Sequence, residues 1–242
     1  MSSRGSDQLT MLHRLPAARL VDRFPYVSGL CRGRRVVHVG FADAGYDEMQ
    51  HGAGTWLHSH LASVTSGLVG IDVDAAGVER ANADGYEAYL ADACDRDAIE
   101  ALGIEPADVV LAGEVIEHVD APGAFLDAMR PLVTRGGKLV LTTPNASSLG
   151  NALLAFAGIE ITHPDHVLNF SWLTLDTLLR RHDWQPARWS TFVPSMKPLQ
   201  RVGARARVLE AGARALLWAE RTAARLGAPF VAEGMIVEAH PV

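Results

Sequence analysis

Within residues 111–122, LAGEVIEHVDAP, an apolar run stops at Glu114, Glu117 and His118, three side chains that can bind a metal or move a proton. Two carboxylates and a neutral imidazole suit a divalent cation bound mainly through oxygen, and an octahedral ion such as Mg2+ or Mn2+ would keep positions open for substrate oxygens. Without a metal, the same groups can cap a helix or hydrogen-bond locally. Alternatively His118, or His163 of the later run THPDH (162–166), can act as general base on a hydroxyl.

A second constellation lies upstream. VVHVG (36–40) runs into a loop of small residues, Gly40, Ala42, Ala44 and Gly45, and the next apolar strand ends at Asp72. Small side chains let a ligand approach backbone N–H groups, and a carboxylate at the neighbouring strand end can accept both hydroxyls of a ribose, so the pair reads as a nucleoside site. The GxGxxG pattern is absent, and the 32 residues from Gly40 to Asp72 exceed the roughly 20 of nicotinamide enzymes, which disfavours NAD. His38 reads as a hydrogen-bonded core residue.

Both constellations need strand ends to hold them. Apolar strands are expected at 36–39, 67–74, 86–93, 108–113, 138–145, 188–193 and 233–241, with helices at 55–66, 75–82, 95–102, 122–132 and 173–181 between them. Such alternation predicts an α/β fold: a doubly wound, mostly parallel, seven-stranded sheet with helices on both faces. In such a sheet ligands bind beyond the carboxyl ends of the strands, where these groups fall. The 242 residues suit one domain. Residues 1–33 read as a helical leader, 146–171 as an acceptor-site loop, and 197–227 as a basic helical insertion before the last strand.

Hydrophobic residues at 48% and charged residues at 21% are ordinary for a globular chain, and the net charge of −6 argues against nucleic acid as the main partner. Two distant cysteines, Cys31 and Cys94, give neither a disulfide framework nor a thiolate metal site, which fits a reducing cytoplasm. No apolar run reaches the roughly 18 residues of a membrane span. The insertion carries seven basic residues against Glu210 and Glu220. Its Val202/Leu209/Leu216 and Arg207/Arg214/Arg221 series form separate stripes on a helix, suited to covering the substrate site, facing solvent or touching an acidic membrane surface.

The order strand, small-residue loop, helix and strand-end acid, then LADACD, VVLAGEVIEHVDAP and GGKLVLTTPN, resembles the class I S-adenosylmethionine-dependent methyltransferases over about residues 34–193. The resemblance implies that Gly40 and Phe41 line the methionyl end of the donor and Asp72 holds its ribose. Val73 then packs on the adenine, and Asp92 and Ala93 read the adenine edge. The ExxEH spacing looks like that of ubiquinone-pathway O-methyltransferases and of enzymes that methylate the terminal ribose 2′-hydroxyl of small RNAs. In the latter a histidine of a later HxDH-like run joins the metal ligands. This implies a cation on Glu114, Glu117, His118 and His166, with His163 as the alternative fourth ligand. The expected activity is O-methylation of a sugar or other polyhydroxylated small molecule with help from Mg2+ or Mn2+. RNA ribose methylation and a non-catalytic donor-binding partner are the alternatives.

Overall fold

A computed structural model describes residues 12–42, 56–194 and 204–242. Its strands are β1 (Ala18–Leu20), β2 (Arg35–Val39), β3 (Gly67–Asp72), β4 (Glu87–Leu90), β5 (Ala107–Gly113), β6 (Val133–Pro144), β7 (Trp184–Phe192) and β8 (Gly234–Pro241). The helices are α1 (Arg23–Cys31), α2 (Leu57–Val64), α3 (Ala75–Ala83), α4 (Arg96–Ala101), α5 (Pro122–Met129), α6 (Leu149–Phe156), α7 (Trp172–Arg181) and α8 (Ala204–Arg225). The strands form one sheet in the order β1-β7-β8-β6-β5-β2-β3-β4, parallel except for β8, which runs against both neighbours.

Burial on both faces explains why the inner strands read as unbroken apolar runs. Val37 and Val39 of β2, Val110 and Ala112 of β5, and Leu139 and Leu141 of β6 join the core under α5 and α7, with Phe125, Met129, Leu175 and Trp184. The alternate residues Val36, Val109, Leu111 and Val140 turn to the other face and pack on Val27 and Cys31 of α1 and Leu61 of α2. Among the described residues no helix is long and apolar enough to cross a membrane.

The α/β, doubly wound expectation holds, with three differences in detail. The leader is not wholly helical: Ala18–Leu20 is an eighth strand, parallel to Trp189–Thr191 of β7, and α1 follows it. Three residues carry no period, and the unpaired edge of β7 supplies the hydrogen bonds that fix them. Pro25 is tolerated because it falls in the first turn of α1, where no intrahelical N–H bond is lost. The RGG turn at 135–137 lies inside β6, where the register against β5 shifts between Ala107 and Val109. Finally, 146–171 contains α6, capped by the Ser148 side chain, which accepts from the N–H of Asn151. Leu9 of the leader, Ala44 and Gly45 of the small-residue loop, and Lys197, Arg201 and Val202 of the insertion lie outside the described residues, as do the side chains of Arg205 and Leu209.

At the far end of β8, Glu238 accepts from Lys138 at 2.5 Å and from the Tyr26 hydroxyl at 2.8 Å. Burial alone would raise its carboxyl, but these bonds and the charges of Lys138 and Arg188 outweigh burial and hold it below the usual carboxylate range. The folded protein therefore binds this proton less readily than the unfolded chain. Its contribution is complete above the ordinary carboxylate value and is lost as pH falls through the folded one. Urea unfolding at stepped pH should show that acid-side loss, and Glu238→Gln should flatten it; an unaltered slope would remove Glu238 from the acid response.

Candidate active site

The carboxyl ends of β2, β3, β4 and β5 lie side by side. Gly40 follows β2 at φ +70°, and a Cβ there would stand 2.3 Å from Cγ2 of Val115, so only glycine lets this loop meet the turn after β5. Asp72 ends β3 with both oxygens engaged: one accepts the N–H of Ala42 and the other that of Asp74, each at 2.9 Å. Each oxygen keeps a further lone pair for a ligand hydroxyl. Val73 is 67% exposed just beyond it. After β4, exposed Asp92 accepts from the N–H of Cys94 at 2.8 Å, and Ala93 is buried. Gly40, Asp72, Val73 and Asp92 thus form one rim. Phe41 differs: the residue is 1% exposed, its ring packs on Trp56 and His58, and its carbonyl accepts from the Trp56 indole at 2.9 Å.

Beneath the rim, His38 is buried with its Nδ1 3.2 Å from Nδ1 of His58. Burial first, then the neighbouring charge of His58, hold it well below the ordinary histidine range, and burial brings His58 down to about 4. Both rings stay neutral at pH 7, as a core role requires.

The turn after β5 is fixed by its neighbour strand. Glu114 has φ +58°, a conformation that costs a non-glycine residue about 1–3 kcal/mol and persists only where its surroundings enforce it. Here the N–H of Glu114 donates to the carbonyl of Thr142, and the Thr142 hydroxyl donates to its carboxylate at 2.9 Å. Glu117, 1% exposed, takes the Thr143 hydroxyl at 3.0 Å, and its Oε1 has no partner. Burial, then the charge of Glu114, push this carboxyl up to about 8. Its backbone carbonyl accepts the N–H groups of Val167 and Leu168, which anchors the downstream end of the THPDH loop.

That anchor brings His166 and His163 to His118. Ligand nitrogens of all three lie within 4.8 Å of one another, and the His118 ring centroid is 4.5 Å from that of His166 and 5.9 Å from that of His163. Burial, followed by the other two imidazoles, lowers the His166 pKa and keeps its lone pair available. His118, His163 and His166 therefore come together. Glu114 and Glu117 lie behind them, bound to threonines, and neither belongs to the group within that distance.

Three contributors escaped the sequence reading. Thr142 and Thr143 orient the two glutamates, and their position at the carboxyl end of the adjacent strand was the available signal. Arg23, in the first turn of α1, points its guanidinium to 3.9 Å from Glu114 and would crowd any side chain at Gly113. It lay in a leader without periodicity.

A family model described as a methyltransferase domain matches residues 51–189. The chain belongs to the class I S-adenosylmethionine-dependent methyltransferases. It is 31% identical over 133 residues to the ubiquinone biosynthesis O-methyltransferase of Cereibacter sphaeroides, a match covering 54% of this chain and 49% of the relative. The chain thus spans about half the length of that methyltransferase. Among solved structures, a SAM-dependent methyltransferase of Archaeoglobus fulgidus superposes with TM-score 0.54 at 15% identity, covering 90% of this chain and 91% of that one. Magnesium protoporphyrin IX methyltransferase of Synechocystis, solved with SAH, gives 0.55 at 16% identity, covering 91% and 82%. At such identities these structures speak for the methyltransferase fold alone.

Proposed function

We propose that this methyltransferase transfers the methyl group of S-adenosylmethionine to a hydroxyl of a sugar or other polyhydroxylated small molecule, with a divalent cation at His118, His163 and His166. The observation that carries the reading is the convergence of three imidazoles on the turn that touches the glycine loop through Val115. The name of the Cereibacter relative favours oxygen as the accepting atom.

The residues fit a cation. Three imidazoles converge, burial lowers the His166 pKa, and Glu117, one residue before His118, keeps a buried oxygen without a partner. A nitrogen-rich set suits Mn2+, Co2+ or Zn2+ better than Mg2+, which shifts the expectation drawn from Glu114 and Glu117 towards the softer ions. Bound there, such an ion would stabilise alkoxide character on the acceptor and leave positions for two adjacent oxygens. The protein's own part is alignment. Gly40 and the backbone of Phe41 take the methionyl end of the donor, Asp72 the ribose, Val73 the adenine face, and Asp92 with the backbone of Ala93 the adenine edge. The acceptor oxygen is held in line with the sulfonium methyl, which supplies most of the barrier reduction. Arg23 is the cation at this edge suited to the donor carboxylate.

Two measurements test this reading. Calorimetry should show S-adenosylmethionine binding that falls at least about tenfold in Arg23→Ala, the loss of a charge-assisted bond worth roughly 1.5–3 kcal/mol. A mass-spectrometric screen of sugar-containing metabolites with labelled methyl donor should place the label on a hydroxyl. Label only on nitrogen or sulfur acceptors would overturn the proposal.

A further inference from the structure

The basic helix α8 buries one acid. Glu220 is 1% exposed, its Oε1 accepts the N–H of Gly150 at 2.8 Å, and the backbone of Glu233 also acts on the carboxyl, which burial pushes up to about 7. Burying a carboxyl costs free energy unless its bonds offset it, and the bond to Gly150 ties this one to α6. Gly150 is the second residue of α6. A Cβ there would stand 3.0 Å from Glu220 Oε1 and 3.4 Å from Cδ2 of Leu216, so α8 lies close against this turn of α6.

Little else holds α6 to the body. Its N-terminus is tied by the Ser148 cap and by Asn151, whose amide donates to the carbonyl of Asn145. Beyond Gly150 its side chains are half-buried or exposed, with Leu153 at 50% and Phe156 at 93% exposure. Few buried apolar contacts leave a segment at the low end of local stability, so its polar ties decide where it sits. From α6 the chain passes through Gly158 into the THPDH loop, where the His166 N–H donates to the His163 carbonyl and makes the two histidines one turn. The downstream end of that loop is already held by Glu117.

We propose that Glu220 is a positioning residue: from α8 it fixes the start of α6, and through α6 the upstream end of the loop that brings His163 and His166 to His118. This rests on the histidine reading above only for its metal readout. Of the roles the sequence leaves open for this helix, covering the substrate site is the one this would extend: the helix would also set the shape of that site.

The full chain, Glu220→Gln and Glu220→Ala can be compared by amide hydrogen exchange over 149–168, by Co2+ titration followed in visible absorption, and by calorimetry with S-adenosylhomocysteine. Glu220→Ala should speed exchange over 149–168 and weaken Co2+ binding, each by about tenfold or more, the scale of one charge-assisted hydrogen bond, with S-adenosylhomocysteine affinity within about twofold. Glu220→Gln keeps an oxygen for Gly150 and should stay much closer to the parent in both. Unchanged exchange over 149–168 in Glu220→Ala overturns the proposal, and so does an equal loss of S-adenosylhomocysteine affinity, which would mark general destabilisation. If Glu220→Ala does not fold, Glu220→Met makes the same test, because it keeps much of the side-chain volume and removes the acceptor of the Gly150 N–H. A parent protein that takes up no Co2+ refutes the metal reading, while exchange still decides the coupling.

Discussion

Excess chelator should abolish methyl transfer to a hydroxyl acceptor and leave S-adenosylmethionine binding intact. A sugar hydroxyl has too high a pKa to ionise near neutrality, and the three converging imidazoles offer lone pairs. Added Mn2+ or Co2+ should restore turnover more fully than Mg2+, because nitrogen ligands suit the former and oxygen ligands the latter. His166→Ala removes the imidazole nearest both other rings, 4.5 Å from His118 and 5.5 Å from His163, and should resist rescue by any of the ions. The competing mechanism, in which His118 or His163 alone takes the hydroxyl proton, gives a different result. Turnover would then persist in chelator, and losing the base would lower it by about 10²–10⁴-fold. Steady-state rates in metal-stripped protein separate the two, and full activity there rejects the cation.

The second large effect is expected at Asp72. Beyond any ribose hydroxyls, its carboxylate holds the N–H of Ala42 in the glycine loop and that of Asp74 at the start of α3. Asp72→Ala should therefore lose the ligand bonds and loosen the loop that receives the donor. At roughly 1.5–3 kcal/mol for each charge-assisted bond, two such losses lower donor affinity by about a hundredfold or more. Asp72→Asn keeps one acceptor oxygen and should fall between the alanine variant and the parent. Calorimetry with a thermal melt of each variant checks this. A folded Asp72→Ala protein with parental affinity would remove the residue from the donor site.

What could be read from the sequence follows the physics of each element. The inner strands β2, β3, β5 and β6 were legible because burial on both faces demands continuous apolar residues, and their ends were marked by the abrupt arrival of Gly40, Asp72 and Glu114. The amphipathic helix α7 was equally plain. By contrast, β1 was illegible because the edge of a distant strand fixes it, and α6 because its apolar residues face outwards and share no stripe with a core. At the site, the sequence placed these residue types at strand ends but could not orient them. ExxEH suggests two glutamates turned towards a metal; in the structure each accepts a threonine hydroxyl of β6, and the three histidines are the groups that come together. Arg23 and Glu220 depend on contacts between segments far apart in the chain, which no local spacing encodes.

The three residues of β1 also bear on how the chain keeps apart from its own copies. Without them β7 would border the sheet as a nine-residue strand, with the backbone of Trp189–Thr191 open to another chain. An open ladder of that kind is a template for intermolecular pairing. β1 occupies it in parallel, and the Val21 N–H continues the pairing to the Thr191 carbonyl. Earlier along β7, Pro186 lacks a donor and Arg188 adds a charge, two features that discourage strand addition. At the opposite border β4 is only four residues long and begins with Glu87. Among the described residues the sheet therefore ends on both sides in short strands, a form that discourages the pairing of an open edge with another chain.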